Sequence, residues 1–192
     1  MSVRVAVISG SVRNGSHNSA LAALATARIR AAGGEAEVID LSTFNLPVYS
    51  QDLELQDCPP DARRLKALLS ACDAVLIATP EHNGSISTLL KNAIDWASRP
   101  SEGETMVTLS AFRGKTAGIM AASIGPFGGM RALAHLRQIL GTVQMVVVPE
   151  QLAVPFADRA FTSEGALAEP LPNMILDGLI GRVLEVAGRL RQ

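Results

Sequence analysis

The sequence predicts an α/β fold, a three-layer sandwich in which a five-stranded parallel sheet of order 2-1-3-4-5 carries helices on both faces. Five short predicted strands alternate with segments of helical periodicity, a pattern typical of doubly wound sheets. One of these strands, at 74–79, is apolar almost throughout, as expected for a strand buried on both sides. With 192 residues the chain fits one domain with a substantial core, so we expect a single domain over 1–192.

In chain order the predicted strands are 3–8, 35–40, 74–79, 116–122 and 144–148. All are largely apolar except 35–40, Glu-Ala-Glu-Val-Ile-Asp, which we interpret as a short strand that ends at a loop. Apolar residues three or four positions apart predict the intervening helices. These helices carry their apolar faces at 21–29, 65–72, 86–97, 130–140 and 175–190.

The segment 41–60 stands out as a connection of about twenty residues without a clear period. Connections of this length commonly serve a function or pack against a partner. An ordinary irregular surface loop is an equally good interpretation of the sequence.

The most informative segment is 8–18, Ile-Ser-Gly-Ser-Val-Arg-Asn-Gly-Ser-His-Asn, which joins the first strand to the first helix. A helix N-terminus presents unpaired N–H groups and the positive end of its dipole, which favour an anion. Glycine lets the backbone approach an oxygen-rich group, Arg13 adds a fixed charge, and Ser11, Ser16 and Asn18 add short donors. The segment predicts a phosphate site.

Two familiar phosphate loops do not match this segment. It contains neither Gly-x-Gly-x-x-Gly nor Gly-x-x-x-x-Gly-Lys-Ser/Thr, so the dinucleotide and nucleoside-triphosphate signatures are both missing. The plain structural alternative is a strand–helix turn in which Ser16 or Asn18 caps the helix.

Two further polar, glycine-containing loops follow the third and fourth strands, at 79–86 and 123–131. In the order 2-1-3-4-5 the first, third and fourth strands are neighbours, and ligands bind beyond their carboxyl ends. We therefore expect the three loops to meet at one rim. The second and third loops could offer backbone N–H and C=O groups to the edge of a flat heterocycle.

Composition excludes several classes of function. A formal charge of −1 gives no reason to expect nucleic acid or an anionic membrane as a partner. No apolar run approaches a bilayer span, and the N-terminus lacks the pattern of a signal peptide. Two cysteines fit reduced thiols, so we expect a cytoplasmic protein. The charged fraction of only 18% suggests surface buried in a homo-oligomer.

The sequence also lacks the usual signs of a protein-borne catalyst. There is no Gly-x-Ser-x-Gly elbow and no clustered His/Cys spacing for a metal, and neither cysteine lies near the anion loop. We nominate no catalytic residue and no metal ligand.

Several motifs in order resemble the NADPH-dependent FMN reductase family, flavodoxin-like proteins that include quinone, azo-dye and chromate reductases. The resemblance covers almost the whole chain. The family pattern Gly-Ser-x-Arg-x-x-Ser-x-Asn is met at 10–18, and Lys-Asn-Ala-x-Asp-Trp with Ser-Arg-Pro is met at 91–100. The family's Pro-Glu-Tyr-Asn appears at 80–83 as Pro-Glu-His-Asn. A Gly-Gly-x-Arg segment occurs at 128–131, and Leu-Pro-Val-Tyr-Ser-Gln-Asp-Leu at 46–53 is similar to the family's loop.

The resemblance implies where FMN would bind. Its phosphate would lie on Ser11, Arg13, Ser16 and Asn18, with His17 in the same segment. Its isoalloxazine ring would lie against Pro80, Glu81, Asn83, Gly84, Ser123 and Gly125. His82, which we also include among the cofactor-binding residues, stands where the family commonly has tyrosine. This departure puts acceptor preference rather than FMN binding in question, and a loop histidine without a chemical role is the plain alternative. The residues of 91–96 are expected to fix a helix or a subunit contact instead of touching the cofactor.

By the same resemblance, we expect an NAD(P)H-dependent oxidoreductase with FMN as cofactor and NADPH or NADH as donor. The acceptor would be a small molecule such as a quinone, an azo compound, chromate or free flavin. Family members are commonly dimers or tetramers, so a homodimer or homotetramer is expected. The alternatives are a flavodoxin-like electron carrier without catalysis, and a flavin-free interaction module.

Overall fold

A computed structural model describes residues 2–191 of the chain. Its five strands are β1 (Arg4–Ser9), β2 (Glu35–Ile39), β3 (Ala74–Ala78), β4 (Thr116–Ala122) and β5 (Val146–Val154). They form one sheet of order β2-β1-β3-β4-β5, and every neighbouring pair is parallel. The predicted order is confirmed, and with it the flavodoxin-like architecture.

Six α-helices connect or follow the strands. They are α1 (His17–Ala31), α2 (Gln51–Asp57), α3 (Pro60–Ser70), α4 (Thr88–Ala97), α5 (Met130–Thr142) and α6 (Pro170–Leu190). A 3-10 turn, Leu41–Thr43, follows β2. Among the residues described, no helix is both long and apolar enough to cross a bilayer.

The core lies in two layers, one on each face of the sheet, because successive strand residues point to opposite sides. Val75 and Ile77 of β3 join one cluster, which α3, α4 and α5 cover. Leu76 points the other way and joins the cluster covered by α1 and α6. Every residue of β3 and β4 is buried, which explains the near-continuous apolar runs in the sequence.

The fifth strand differs from its prediction, since it continues to Val154 and does not stop at 148. The register between β4 and β5 shifts: Ala117 pairs with Val147, whereas Ile119 pairs with Gln151. Pro149 lies inside this bulge on an edge strand, where a missing N–H is tolerated. The proline and the following polar residues interrupt the apolar pattern, so the pattern did not predict the second half of the strand.

Helical structure also extends beyond the predicted segments. The connection 41–60 contains α2, which has no buried residue and hence no apolar period to reveal it. Ser50 begins the helix by accepting a hydrogen bond from the N–H of Leu53 (3.5 Å), and acidic residues occupy its first turn. The last helix begins at Pro170, not near 175, since proline is favoured in a first turn.

Hydrogen bonds hold the connection 41–60 against α4. The carbonyl of Pro47 accepts hydrogen bonds from Trp96 Nε1 (2.7 Å) and Asn92 Nδ2 (2.9 Å). The N–H of Tyr49 donates to Asn92 Oδ1 (2.8 Å), and its ring meets Trp96 edge-on at 5.1 Å. Glu54 accepts from the Tyr49 hydroxyl (2.7 Å) and from Arg99 Nε (2.9 Å). The motif at 46–53 is thus bonded to the motif at 91–100.

Gly118 on β4 lets α6 approach the sheet. A Cβ built there would lie 2.6 Å from Leu76 Cδ1 and 2.8 Å from Val183 Cγ2. We expect Gly118→Ala to lower the free energy of unfolding by about 1–2 kcal/mol, because the packed side chains must leave their rotamers. Urea denaturation measures this. Gly178→Ala, at an α6 position where a Cβ meets nothing within 4 Å, is the control and should not destabilise.

Candidate functional site

A cleft of about 790 Å³ opens at the carboxyl ends of β1, β3 and β4. All three predicted loops contribute to it, so the expectation that they meet at one rim agrees with the geometry. Of the predicted site residues, the following line the cleft: Ser11, Arg13, Ser16, His17, Asn18, Pro80, His82 and Ser123. The remaining four, Glu81, Asn83, Gly84 and Gly125, lie in the same loops outside this lining.

The loop before α1 is arranged for an anion at the helix N-terminus. Ser16 is the N-cap, and its Oγ accepts from the N–H of Ser19 (3.3 Å). Other N–H groups of a first turn have no partner within their helix. The exposed guanidinium of Arg13 folds along the loop and donates to the carbonyls of Asn14 (3.2 Å) and Gly15 (3.1 Å). Capping by Ser16, the structural alternative, therefore coexists with a cationic, donor-rich loop.

Asn18 connects this loop to β4. Its buried Nδ2 donates to the carbonyl of Ala122 (2.9 Å), and its Oδ1 accepts from the N–H of the same residue (2.9 Å). Both ends of the amide are engaged at the last residue of β4. The side chain therefore holds the first loop beside the third while the residue lines the cleft.

Gly10 allows the first and second loops to touch. A Cβ there would lie 3.3 Å from Pro80 Cδ and 3.3 Å from Leu90 Cβ, which is already tight. The Gly10 carbonyl accepts a hydrogen bond from Ser87 Oγ (2.6 Å), and its N–H donates to the carbonyl of Ala78 (2.8 Å). Glycine is required at this position because the two loops pack closely and leave little room for a side chain.

The second loop forms a tight turn from His82 to Ser85, closed by two backbone hydrogen bonds of 2.8 and 3.0 Å. Asn83 and Gly84 between them have φ of 51° and 77°, the left-handed pair that Asn-Gly sequences favour. The turn presents His82 to the cleft as an exposed side chain.

Glu81 points from this loop to α5. Its carboxylate accepts from Arg131 Nε (2.7 Å) and from the backbone N–H of Arg131 (3.2 Å). Partial burial alone would raise the pKa of Glu81, but Arg131 and the N–H groups of Arg131 and Ala132 outweigh it and lower the pKa. The group is a carboxylate at neutral pH and is paired within the protein.

The third loop is held by the segment after β5. The N–H of Ser123 donates to the Val154 carbonyl (3.0 Å), and the N–H of Phe156 donates to the Gly125 carbonyl (3.3 Å). Gly125 itself donates to Ser123 Oγ (3.3 Å). Gly125 thus shapes the loop through its backbone.

Sequence reasoning missed several residues that shape the cleft. Ser87, Thr88 and Leu89 line it from the start of α4, and Ile124 from the third loop. Phe161 lies parallel to the His17 ring at 6.3 Å between centroids. Only the helix-start pattern near Ser87 carries a usable signal, because Ile124 and Phe161 have no motif of their own.

The walls suit a flat, apolar group next to an anion. Pro80, Leu89, Ala122 and Ile124 supply apolar surface, and the loop before α1 supplies Arg13 with the hydroxyls of Ser11 and Ser16. Neither cysteine lines this cleft, and burial raises the pKa of both thiols. The described part of the chain holds no group of three or more His, Cys, Asp or Glu side chains placed to bind a metal ion.

The sequence of residues 3–159 matches the family described as NADPH-dependent FMN reductase. The chain belongs to this family. Among the FMN reductases, an NAD(P)H-dependent FMN reductase from Pseudomonas aeruginosa is 39% identical over 168 residues, which cover 87% of this chain and 85% of that protein. A 2-hydroxy-1,4-benzoquinone reductase from a Burkholderia species is 37% identical, with 77% and 75% covered.

A solved structure extends this likeness to the fold. The flavoenzyme FerB from Paracoccus denitrificans, an NAD(P)H:(acceptor) oxidoreductase, superposes with a TM-score of 0.83 at 29% identity. The match covers 97% of this chain and 98% of FerB. The resemblance seen in the motifs and the predicted FMN reductase fold are therefore confirmed.

Proposed function

We propose that this protein is an FMN-dependent NAD(P)H oxidoreductase that passes electrons from a reduced nicotinamide to a small-molecule acceptor. The observation that carries the proposal is the convergence of the three loops on one cleft, where the loop before α1 brings Arg13 with two hydroxyls and the other walls bring apolar side chains. FMN has the same division, a phosphate at one end and a flat ring at the other. When bound, FMN supplies the hydride-accepting ring.

The donor set of the loop before α1 fits the phosphate. Ser11 and Ser16 offer hydroxyl groups, Arg13 offers N–H donors, and His17 and Asn18 begin the helix. Asn18 Nδ2 already bonds to Ala122, so we assign Asn18 the task of holding the loop, with its backbone facing the ligand.

The apolar walls fit the ring. Pro80 and Ile124 supply flat or apolar surface, and Ser123 supplies a short polar group beside them. For the heterocycle edge we propose backbone groups of the second loop near Gly84, because the N–H and C=O of Gly125 already bond within the protein. The exposed His82 side chain borders the space in which donor and acceptor would alternate.

For the acceptor we favour a quinone or a free flavin, because the relatives include a benzoquinone reductase and an FMN reductase. Azo compounds and chromate rest on the family resemblance alone. Turnover over a matched panel of benzoquinones, free FMN, an azo dye and chromate would rank these classes. Turnover with chromate or the azo dye that far exceeds turnover with every quinone and flavin would contradict our preference.

The decisive test is an anaerobic reduction. We expect the purified protein to bind FMN. We also expect NADPH or NADH to bleach the visible absorbance of the bound flavin. A protein that holds FMN but that neither nucleotide reduces would be the electron carrier of our alternative. A protein with no affinity for FMN would be the flavin-free module.

We further propose that the protein forms a homo-oligomer. The connection 41–60 itself carries exposed apolar side chains, with Val48 80% exposed and Leu55 76% exposed. We expect light scattering to give at least twice the monomer mass, and Leu55→Asp to shift it toward the monomer. Val38→Asp, an exposed apolar position on β2, is the matched control. A monomeric wild-type protein at micromolar concentration would contradict the proposal. A cytoplasmic location stays a prediction of the sequence.

A further inference from the structure

We infer that Glu81, Arg131, Ser85 and His135 position the flavin-facing turn from outside the cleft, by fastening it to the first two turns of α5. The turn is His82 to Ser85. The inference rests on the flavin binding of the proposed function and deepens it, because it assigns these residues to placement of the ring and not to contact with it.

The first fastening replaces a missing helix cap. Helix α5 begins after Gly129, which has no side chain with which to cap it. The Glu81 carboxylate takes that place: it accepts from the N–H of Arg131, the second residue of the helix, and bonds its guanidinium. A carboxylate at a helix N-terminus also complements the dipole.

In the contact between Glu81 and Arg131, the glutamate carboxylate is largely shielded from solvent. The Glu81 side chain is 9% exposed, whereas that of Arg131 is 64% exposed. A poorly solvated carboxylate loses more than an exposed one when its partner is removed. Arg131 also lies over the Phe127 ring at 5.6 Å, which restricts the guanidinium.

The second fastening is one helical turn further along. His135 Nδ1 lies 3.0 Å from Ser85 Oγ. Positions 131 and 135 share one face of α5, because residues four apart on a helix are neighbours. Glu81 precedes the turn and Ser85 ends it, so the helix contacts the turn from both sides.

The helix is a firm support. Leu133, Leu136 and Leu140 of α5 are completely buried. At its start, a Cβ on Gly129 would lie 2.7 Å from the Cβ of Ala121 on β4, so the helix begins in close contact with the sheet. The turn closes on itself through its own backbone bonds and can move only as a unit.

This arrangement explains why two motifs occur together. The acidic residue of Pro-Glu-x-Asn and the arginine of Gly-Gly-x-Arg form one contact, although fifty positions separate them. Their bond determines where the turn, with Pro80 before it and His82 within it, meets the cleft.

The test compares two ligands, FMN and riboflavin, which share the ring and differ in the phosphate. We expect Glu81→Gln and Arg131→Gln each to weaken binding of both by about tenfold, which corresponds to about 1.4 kcal/mol. The double variant should lose little more than either single one, because one contact is removed in all three. Fluorescence quenching of each flavin gives the affinities.

Three comparisons make the result specific. Arg182→Gln removes an exposed pair between α6 and Glu150 and should leave both affinities unchanged. The near-ultraviolet and visible circular dichroism of the bound flavin should change in Glu81→Gln, since the ring environment is altered. His135→Ala should weaken both flavins by a smaller factor, about threefold.

Wild-type affinity for both flavins in Glu81→Gln would overturn the inference. A loss confined to FMN would overturn it too, because it would place the effect at the phosphate. If Glu81→Gln does not fold, the pair Arg131→Gln and His135→Ala decides, and unchanged affinities in both would reject the positioning role. None of these outcomes depends on turnover, so they are distinct from failure of the reductase proposal.

Discussion

Arg13→Ala should weaken the binding of FMN by about 30- to 100-fold, or about 2–3 kcal/mol. Arg13 lines the cleft from the loop before α1, and charge-assisted bonds to phosphate are among the strongest hydrogen bonds in proteins. The Arg13 guanidinium is exposed and donates to two carbonyls of its own loop, so its removal should leave folding intact. Equilibrium dialysis of the apoprotein against FMN measures the change.

Riboflavin supplies the control for this prediction, because it lacks the phosphate. Its affinity should be the same for wild-type protein and Arg13→Ala. Arg13→Lys should fall between the two for FMN, since lysine keeps the charge without the planar fork. Equal loss of FMN and riboflavin would mean that Arg13 shapes the loop and does not pair with the phosphate.

Asn18→Ala should lower the free energy of unfolding by about 2–4 kcal/mol. The substitution removes two hydrogen bonds and leaves the N–H and C=O of Ala122 buried without them. Unsatisfied buried backbone groups are costly because water cannot replace the lost partner. Denaturant titration of the apoprotein would measure the effect without any contribution from the cofactor.

Two variants bracket this effect. Asn14→Ala changes an exposed residue in the same loop and should alter stability by less than about 0.5 kcal/mol. Asn18→Asp keeps an acceptor for the Ala122 N–H but loses the donor to its carbonyl, so it should be destabilising as well. An Asn18→Ala protein as stable as wild type would show that the first and third loops do not need this contact.

The sheet could be predicted from the sequence because a strand that is buried on both faces is apolar almost throughout. Strands β3 and β4 are fully buried, and their sequences are nearly uninterrupted apolar runs. The order of strands followed from alternation with helices and from the rules for parallel connections. The bulge at Pro149 and the solvent-exposed helix Gln51–Asp57 lack such an apolar pattern, since neither depends on a buried apolar face.

The site could be predicted as a meeting of loops but not as a set of side-chain directions. Strand order places 8–18, 79–86 and 123–131 at one edge, and the cleft lies there. The side chain of Asn18 bonds to Ala122, and that of Glu81 bonds to Arg131. These directions depend on contacts between residues far apart in sequence, which a motif does not reveal. A motif supplies the residue type, and the folded neighbours decide the direction in which it points.

The bulge at Pro149 has a consequence for self-association. An outer strand with a free, regular ladder invites a second chain to extend the sheet, and a proline within a bulge prevents this. The opposite border, formed by β2, carries Glu35 and Glu37, which would repel their counterparts in an antiparallel match. We therefore expect any assembly of this reductase to be built through its helices and loops, without a continuous sheet shared between copies.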